Sequence, residues 1–386
     1  MNAANLTPLS LYVHLPWCVV KCPYCDFNSH KAGKSPPRAQ YVEAIKADLA
    51  IEADRATGRP VQTIFLGGGT PSFFDAGQIG EILAAAHDDL NIAADAEITM
   101  EANPGTVECG ELASYRSAGV NRLSLGAQSF DADSLRALGR IHGVDEIYAA
   151  VNEAQTAGFN SINIDLMYGL PGQTAAMAVA DLARATELEP QHISHYQLTI
   201  EPNTVFYSRT PVDMPGDNTT YEMQEACHRH FRDAGYGQYE ISAFAKPGYE
   251  CRHNLNYWTF GDYLAVGAGA HGKITDQQGT IRRYEKPAHP MAFIKAAKIQ
   301  PTPVEPRKLG HDDILFEYML NALRLPRGFT STMFEQRTGL AFDLLLERLG
   351  ECRDKGLLRE TTDESWQPTE LGLRFLNDLQ AQFLPA

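Results

Sequence analysis

Three cysteines near the start of the chain have the spacing of a metal centre. Cys18, Cys22 and Cys25 follow a C-x3-C-x2-C pattern, so three thiolates lie on one short loop. At this spacing each thiolate can bind one iron of a [4Fe-4S] cluster and leave the fourth iron without a protein ligand. Zinc is an alternative, because His14 or His30 could complete a four-ligand site although no second cysteine pair follows. Three unrelated cysteines are the weakest interpretation.

Polar or glycine residues also end six apolar runs that are typical of buried strands. The runs are 9–14, 61–66, 96–101, 122–126, 161–167 and 192–198. Their ends carry the cysteine cluster, Gly67-Gly68-Gly69-Thr70, Glu101, Gln128, Asp165, and His195 with Gln197. A single polar residue at a strand end is usually a helix cap or a structural acceptor. Because all six predicted strands carry such residues at their carboxyl ends, we predict that these residues share one site.

Helical patterns separate these runs and indicate how the polar residues are positioned. Apolar residues share one helix face in three sets: Val42, Ile45 and Leu49; Ile79, Ile82 and Leu83; Ile147, Val151 and Ala154. Six β-α units predict an α/β fold, either a partial (β/α)6 TIM-like barrel or a doubly wound sheet. A doubly wound sheet binds ligands at one switch point, whereas every strand of a barrel can contribute. The distribution of polar residues therefore favours the barrel.

The last third of the chain has a different pattern. A proline-rich linker at 301–306 precedes helical periodicity at 312–323, 342–355 and 369–383, with a short β wing near Leu357-Leu358. This order predicts a mainly helical, winged-helix-like C-terminal domain. We expect three units: 1–205 as the barrel with the cysteine loop, 206–305 as a barrel extension and connecting segment, and 306–386 as the helical domain.

The charge balance limits the classes of partner. The 386 residues contain 33 Lys plus Arg against 48 Asp plus Glu, which gives a net charge of −15. This argues against a surface that coats nucleic acid or a polybasic surface that binds membranes. A DNA-binding role for the winged-helix-like tail is opposed by its acidic residues, which include Glu347, Glu351, Asp354 and Glu360. We expect no nucleic-acid partner.

The N-terminal and apolar patterns predict a location. The first ten residues lack the charge and apolar run of a signal peptide, and no apolar stretch approaches eighteen residues. We therefore expect a cytoplasmic protein without a transmembrane segment. In that reducing compartment Cys109, Cys227 and Cys352, which lie in helical patterns, are predicted to be small core residues.

The cysteine motif, with Tyr24 before its last cysteine, resembles the radical S-adenosylmethionine (SAM) superfamily. This resemblance implies the fold of that superfamily, a [4Fe-4S] cluster and SAM as cofactors. One electron from the cluster would cleave the S–C5′ bond of SAM to give a 5′-deoxyadenosyl radical. The glycines at 67–69 are then interpreted as the loop that binds the amino-acid end of SAM, since backbone without side chains can approach a ligand closely.

Longer segments resemble the oxygen-independent coproporphyrinogen III oxidases and their relatives, from Leu9 to about the C-terminus. These segments are 11–18, 67–72, 101–104, 125–130, 138–142 and 165–171. The resemblance implies SAM contacts from Tyr12, Tyr24, Gly68, Gly69, Thr70, Glu101, Gln128, Arg140 and Asp165. In these roles Asp165 would accept from ribose hydroxyls, Arg140 would pair with the methionine carboxylate, and Glu101 would balance the ammonium or sulfonium.

Two features differ from the oxidases. Phe27 stands where the oxidases have a further cysteine, and residues 253–258 read H-N-x-x-Y-W. With C-P-Y-C-D-F, this motif resembles HemW-type heme chaperones, which implies a heme site at His253, Tyr257 and Trp258. An imidazole can ligate heme iron and the aromatic rings can pack a macrocycle. A structural His253 is the alternative, and Cys251 and His271 are lower-ranked iron ligands.

The resemblance implies a heme chaperone that delivers heme to hemoproteins of the respiratory chain. Its expected partners are heme, acceptor hemoproteins of respiratory enzymes and an electron donor, with a peripheral membrane contact and a homodimer left open. The alternative is an enzyme, the oxygen-independent coproporphyrinogen III oxidase, whose radical would abstract hydrogen from propionate side chains. We expect this chain to lack that activity.

Overall fold

A computed structural model describes residues 7–106, 111–299, 305–361 and 365–385. The strands, in chain order, are β1 (Leu9–Leu15), β2 (Trp17–Cys18), β3 (His30–Lys31), β4 (Val61–Gly68), β5 (Ile92–Ala102), β6 (Arg122–Gln128), β7 (Ser161–Tyr168), β8 (His192–Gln197), β9 (Gly237–Glu240), β10 (Ala243–Ala245), β11 (Asp262–Val266), β12 (His271–Thr275), β13 (Ile281–Glu285), β14 (Arg307–Lys308), β15 (Phe329–Thr330), β16 (Leu358–Glu360) and β17 (Ser365–Pro368). The helices are α1 (Arg38–Ala56), α2 (Ala76–Asp89), α3 (Glu111–Ser117), α4 (Ala132–Ala137), α5 (Val144–Thr156), α6 (Ala175–Glu187), α7 (Val205–Ser208), α8 (Asp217–Asp233), α9 (Arg252–Trp258), α10 (Pro290–Ile299), α11 (His311–Ala322), α12 (Ser331–Thr338), α13 (Asp343–Asp354), α14 (Glu370–Arg374) and α15 (Leu376–Ala381).

Six parallel strands confirm the predicted β-α repeat. Strands β1, β4, β5, β6, β7 and β8 are neighbours in one sheet and run in the same direction. Each coincides with one of the six apolar runs, so the periodicity of the sequence located them. Because the strands are parallel, their carboxyl ends lie at the same end of the barrel.

The inner and outer faces of the barrel strands differ in polarity. In β6, Leu123 and Leu125 belong to the hydrophobic core that packs against the helices, whereas Arg122, Ser124 and Gln128 alternate with them. Side chains alternate between the two faces of a strand, so these polar residues point into the barrel. The side chains that β6 contributes to the barrel interior are therefore polar.

Helices α1, α2 and α5 cover the outer face as predicted. All nine residues of the predicted apolar faces are buried in these helices. Asp75 is the N-cap of helix α2, and its side chain accepts a bond from the Gln78 backbone N–H in a capping box. Burial of one apolar face, rather than helix propensity, holds these helices against the sheet.

A seventh parallel strand extends the barrel and was not predicted. Strand β11, from the aromatic and glycine-rich stretch, pairs in parallel with β1, with Leu9 opposite Asp262. Strands β12, β13 and β14 then continue antiparallel from β11, and β10 and β9 continue from β8. The sheet order thus has two ends, so the barrel is open.

The C-terminal region has its own hydrophobic cluster. Tyr318, Phe334 and Leu349 are buried there, and a small sheet in the order β15-β17-β16 forms the wing. The prediction of a single helix at 369–383 is wrong. The segment forms two helices, α14 and α15, which are separated at Phe375, where φ is −110° and ψ is 47°. The break lets α15 pack on α11, where Gln380 Nε2 donates to the Leu320 carbonyl at 2.8 Å.

Two predictions concern residues that the structure does not describe. Cys109 and residues 301–304 of the predicted linker lie outside the described ranges. Cys227 and Cys352 are fully buried in α8 and α13, which confirms them as core residues.

No described helix is both long and apolar enough to cross a bilayer.

Candidate functional site

A cavity of about 340 Å³ lies at the carboxyl ends of the barrel strands. We call it the upper pocket. Its wall contains eleven residues predicted to hold the cluster or SAM: Cys18, Cys22, Tyr24, Cys25, Gly68, Gly69, Thr70, Glu101, Gln128, Arg140 and Asp165. These residues come from five strand ends and from the loops that follow them. The fold therefore gathers residues that are up to 147 positions apart in the sequence.

The cysteine loop is fixed to the barrel by backbone bonds. Strand β2 pairs with β3, which places Cys18 beside Lys31 and closes the loop at its base. The N–H groups of Gly69 and Thr70 donate to the carbonyls of Leu15 and Trp17 at 2.8 and 2.9 Å. The loop and the glycine turn after β4 therefore form one continuous wall of the pocket.

The three thiols lie in different electrostatic environments. Arg140 Nη1 donates to Cys22 Sγ at 3.3 Å. Burial raises the pKa of the Cys18 thiol, although a hydrogen bond with Thr70 opposes the shift. Burial also raises the pKa of the Cys25 thiol, against a bond with Ser29 and the charge of Lys21. Metal loading must then release protons, because thiolate is the ligand form.

The donor set fits a cluster better than a single metal ion. Within the described residues, no three or more His, Cys, Asp or Glu side chains form a group that could hold a metal ion. A zinc site would hold its sulfurs about 3.8 Å apart, from a Zn–S length near 2.3 Å. His14 and His30 were the two candidates for a fourth zinc ligand. His14 bonds Tyr12 through Nδ1 and the Asn28 carbonyl through Nε2, and His30 Nε2 bonds Asn28 Oδ1 at 3.2 Å.

The glycine turn after β4 requires residues without side chains. Gly68 has a φ of +114°, and a Cβ there would lie 2.4 Å from the His14 ring. A Cβ at Gly69 would lie 2.7 Å from the Pro16 backbone. Any larger residue would push the turn away from the cysteine loop, so the glycines fix the width of the pocket.

Two carboxyl groups lie in the pocket wall. Glu101 Oε2 accepts from the Gly68 N–H at 3.1 Å. Desolvation, together with the nearby Asp165 charge, raises the pKa of Glu101 to about 7. Asp165 accepts from Ser124 Oγ at 3.1 Å and from Asn163 Nδ2 at 2.8 Å, and burial raises its pKa as well. A cationic ligand would favour the ionised form of both groups.

Gln128 and Arg140 form the remaining polar wall. Gln128 has a φ of +72°, and its Oε1 accepts from the Tyr196 hydroxyl at 2.7 Å. Arg140 Nη2 donates to the Gly126 carbonyl at 2.6 Å, whereas its buried Nε has no hydrogen-bond partner. The pocket wall thus contains the Arg140 guanidinium as well as the Glu101 and Asp165 carboxyl groups, a combination suited to a ligand with charges of both signs.

Tyr12 lies apart from the pocket wall. Its hydroxyl bonds His14 Nδ1 at 3.0 Å, and its ring stacks on Phe65 with 6.3 Å between centroids. It therefore supports His14, whose other nitrogen holds the Asn28 carbonyl of the cysteine loop. Direct contact of Tyr12 with SAM stays a prediction.

The H-N-x-x-Y-W segment forms helix α9, at the opposite end of the barrel. His253 is fully buried, and both ring nitrogens have partners: Nδ1 bonds Thr63 Oγ1 at 2.7 Å, and Nε2 bonds the Tyr257 hydroxyl at 2.6 Å. Thr63 lies near the start of β4, whereas Gly68 of the pocket lies at its end. Trp258 stacks under the Arg324 guanidinium at 4.3 Å. We call α9 with Thr63 and Glu97 the barrel floor.

Glu97 attaches α9 to the barrel. Its carboxylate accepts from the N–H groups of Arg252 and His253 at 3.2 and 3.0 Å, and from the Cys251 thiol at 3.6 Å. Burial raises the pKa of Cys251 to about 12, so this thiol stays protonated at neutral pH. His271 lies elsewhere, exposed on β12 and 3.8 Å from Glu285. In this conformation the structure brings no predicted heme ligand into the upper pocket.

Strand alternation separates residues that the sequence had grouped. His195 was expected at the shared site, but it points outward, where its ring stacks on Tyr168 with 4.7 Å between centroids. Its neighbour Tyr196 points inward, lines the pocket and was missed, as were Ser124 and Asn103. The alternation of β6 and β8 was the signal that could have found Ser124 and Tyr196.

Comparisons with known proteins place these observations in a family context. Residues 12–185 match the model of the radical SAM superfamily, and residues 309–375 match the HemN C-terminal domain. The heme chaperone HemW of Escherichia coli is 48% identical over 380 residues, which cover 98% of this chain and 99% of that protein. The heme chaperone HemW of Bacillus subtilis is 34% identical over 362 residues, which cover 91% and 93%.

A solved structure has the same architecture. Coproporphyrinogen III oxidase (HemN) from Escherichia coli, described as a radical SAM enzyme, superposes with a TM-score of 0.82. It is 26% identical, and the match covers 98% of this chain and 90% of that chain. The predicted fold class, a partial α/β barrel of the radical SAM type with a C-terminal helical domain, is confirmed.

Proposed function

The chain belongs to the family of heme chaperones HemW, and we propose that it binds heme and delivers it to hemoproteins of the respiratory chain. The sequence identity of 48% over nearly the whole length of both chains carries this conclusion. The family name specifies heme as the cargo and a carrier role for the protein.

The upper pocket is proposed to hold a [4Fe-4S] cluster on Cys18, Cys22 and Cys25 with SAM beside it. When bound, the cluster supplies an open iron for the amino-acid end of SAM and one-electron reduction of its sulfonium. The donor set fits because three thiols, a close glycine turn and Arg140 line the same cavity.

We propose that charged residues of the pocket each bind a different part of SAM. Arg140 lines the pocket and can pair with the methionine carboxylate through its guanidinium. Glu101 faces the same space and can balance the cationic end of the ligand. Asp165, held by Ser124 and Asn163, can accept from ribose hydroxyls. Tyr24, Gly68, Gly69, Thr70 and Gln128 complete the proposed contacts.

The heme site is proposed at His253, Tyr257 and Trp258, and it requires a change of conformation. Both His253 nitrogens are bonded, so ligation of iron would break the contact with Thr63 or the contact with Tyr257. The free energy lost would be about 0.5–1.5 kcal/mol for one such hydrogen bond, which an iron–imidazole bond can offset. Substitution of His253 by Ala should then lower heme affinity without changing iron–sulfur content.

Coproporphyrinogen III oxidase is the second candidate, because the solved oxidase shares the fold over 98% of this chain. Phe27 argues against it, since the position that holds a further cysteine in the oxidases is here an aromatic ring with 61% exposure. The location is proposed to be the cytoplasm, because free thiols that carry an iron–sulfur cluster need a reducing compartment.

One experiment separates the carrier from the enzyme. The reconstituted full-length protein is incubated without oxygen with coproporphyrinogen III, SAM and a reductant, and in parallel it is loaded with heme and mixed with an apo-hemoprotein. A carrier transfers heme and leaves coproporphyrinogen unchanged. Conversion of coproporphyrinogen with formation of 5′-deoxyadenosine would contradict the proposal and support the oxidase.

A further inference from the structure

Buried polar side chains connect the barrel floor to Asp165 through the interior of the barrel. Asn163 lies two residues before Asp165 on β7, and side chains two residues apart lie on the same face of a strand. His192 lies opposite Asn163 on the neighbouring strand β8. Asn163 and His192 are 2% and 1% exposed, and neither is among the residues that line the upper pocket. They can therefore act on a ligand in the pocket only through other residues.

Hydrogen bonds join these side chains in series. Asn163 Nδ2 donates to Asp165 Oδ1 at 2.8 Å, and Asn163 Oδ1 bonds His192 Nδ1 at 2.6 Å. His192 Nε2 bonds the Tyr239 hydroxyl at 2.7 Å, and the oxygen of that hydroxyl accepts from the Cys251 N–H at 3.2 Å. Cys251 is the N-cap of α9, so the series begins at the barrel floor. We call these five residues the Asp165 network.

The direction of each hydrogen bond in the network is determined. The Ser194 N–H, which can only donate, bonds Asn163 Oδ1 at 2.9 Å. This atom is therefore the amide oxygen, and His192 Nδ1 must donate to it. Burial lowers the pKa of His192 well below its ordinary value, so the ring is neutral and its Nε2 accepts from the Tyr239 hydroxyl. Every donor in the network thus points toward Asp165.

The Asn163 amide also fixes the second oxygen of the Asp165 carboxylate. Its Nδ2 donates to Ser124 Oγ at 2.7 Å, and Ser124 Oγ donates to Asp165 Oδ2 at 3.1 Å. Both carboxylate oxygens are therefore held by donors that have fixed partners of their own. A carboxylate can accept roughly four hydrogen bonds, so capacity remains for a ligand hydroxyl in the upper pocket, which Asp165 lines.

We propose that Asn163 and His192 are positioning residues for SAM, which hold the Asp165 carboxylate in the orientation that accepts from the ribose hydroxyls. The proposal rests on the proposed SAM site in the upper pocket. A side chain that is already held by further hydrogen bonds loses little conformational freedom when its ligand binds. Hydrogen bonds that point the same way in series also polarise and strengthen one another. Both effects favour binding of the ribose.

A purely structural role for His192 predicts a different result. Buried polar side chains need hydrogen-bond partners whatever their function. Loss of His192 would then lower the stability of the barrel and weaken the binding of every pocket ligand alike. A positioning role affects only the part of the ligand that Asp165 contacts. The test therefore compares SAM with an analogue of SAM whose ribose lacks the 2′ and 3′ hydroxyls.

The variants are made in the full-length protein with its reconstituted cluster. His192→Phe removes the donor to Asn163 and keeps an aromatic ring. His192→Asn is the rescue variant, because its Nδ2 can lie where the ring Nδ1 lies and can donate to the same oxygen. His195→Phe is the matched control, a buried histidine of the same strand that lies outside the pocket wall. Iron content and the unfolding midpoint are measured first, and calorimetry then gives the affinity for each ligand.

The expected result is a loss of affinity that depends on the ribose hydroxyls. His192→Phe should raise the dissociation constant of SAM about threefold to tenfold, and that of the analogue less than about twofold. His192→Asn should return the SAM value to within about twofold of the parent, and His195→Phe should bind both ligands like the parent. When Asp165→Ala is already present, His192→Phe should have no further effect, because it acts through the missing carboxylate.

Two results would overturn the proposal. SAM affinity in His192→Phe equal to that of the parent would show that His192 does not position Asp165. A similar loss for SAM and the analogue, or a loss that persists beside Asp165→Ala, would assign His192 a structural role. If His192→Phe does not assemble the cluster, Tyr239→Phe replaces it, because this variant removes the hydroxyl that donates to His192 Nε2. The same two ligands are then compared, with the same outcomes decisive.

Failure of the proposed SAM site has a separate signature. A parent protein that assembles the cluster but binds SAM and the analogue equally would refute the ribose contact of Asp165 and, with it, the positioning role. A parent that distinguishes the two ligands, together with a His192→Phe variant that distinguishes them equally well, would leave the SAM site intact and refute the positioning role alone.

Discussion

The upper pocket and the barrel floor are both rich in polar side chains, but they differ in where their candidate metal ligands lie. In the pocket, three thiols line an open cavity. In the floor, both nitrogens of His253 and both oxygens of Glu97 are bonded within the protein. The pocket is arranged to receive a ligand without rearrangement, whereas the floor must first open.

The difference shows that a motif and a ready site are separate properties. The cysteine motif and the H-N-x-x-Y-W motif both contain residue types that bind metals. Only the first leaves its ligand atoms beside a cavity. A histidine with two short hydrogen bonds stabilises the fold in its present position, and its use as an iron ligand costs that stability.

The largest expected effect is on the cluster itself. Cys22→Ser should reduce the iron content of the reconstituted protein from about four per chain to near zero, because one of three ligands is lost. Iron and sulfide analysis measures this. Cys352→Ala, a buried cysteine of the C-terminal core, is the control and should keep the full content. Equal iron loss in the two variants would mean that general instability, and not ligation, explains the result.

The second effect concerns SAM in the pocket. Asp165→Ala should raise the dissociation constant of SAM about 10- to 100-fold, since a hydrogen bond to a charged acceptor contributes about 1.5–3 kcal/mol. Calorimetry on the cluster-loaded protein measures the affinity. Asp133→Ala, an exposed aspartate of α4, is the control. Unchanged affinity in Asp165→Ala would remove this residue from the SAM site.

The third effect is a pH dependence of SAM binding. The pKa of Glu101 is raised to about 7, so the carboxyl is mostly protonated at pH 6 and mostly ionised at pH 8. If the ionised form binds the cationic end of SAM, affinity should be about tenfold lower at pH 6 than at pH 8. Binding near pH 7 should release protons, which calorimetry in two buffers detects. Glu101→Gln should abolish the release, and persistence of the release would assign it to another group.

The raised pKa of Glu101 also predicts how the stability of the folded protein depends on pH. The folded state binds the Glu101 proton up to about pH 7, whereas an unfolded glutamate releases it near pH 4.3. The contribution of this group to stability is therefore lost as pH rises from about 4.3 to about 7, and it is constant above that window. Denaturation of the apo-protein across this range, compared with Glu101→Gln, measures it.

The smallest effect tests the floor. Thr63→Val removes the bonds to His253 Nδ1 and to Ser10 Oγ and should lower the free energy of unfolding by about 1–3 kcal/mol. The variant leaves Nδ1 of the His253 imidazole without its hydrogen bond to Thr63. If the floor must open before the imidazole binds iron, heme should therefore associate about fivefold faster. SAM affinity should not change, since Thr63 lies outside the pocket wall. Heme binding as slow as in the parent would indicate a structural His253 or a heme site elsewhere.

The sequence by itself located the six parallel strands and predicted the chemistry of the pocket. Apolar periodicity located the six parallel strands, and the spacing of Cys18, Cys22 and Cys25 indicated the cluster, because both patterns are local. Strand β11 could not be found in this way. Its pairing with β1 joins Leu9 to Asp262 across more than 250 residues, and no local pattern encodes such a partner.

Only the tertiary structure decided which polar residues share a site. His195 and Tyr196 are adjacent in sequence but lie on opposite faces of β8, so one packs in the core and the other lines the pocket. His253 has the ring chemistry of an iron ligand, and Tyr257 on the same helix is a local partner, but Thr63 reaches its other nitrogen from β4 only when α9 closes the barrel. Residue type is fixed by the sequence, whereas the freedom of a side chain to bind a ligand depends on neighbours that folding brings from distant segments.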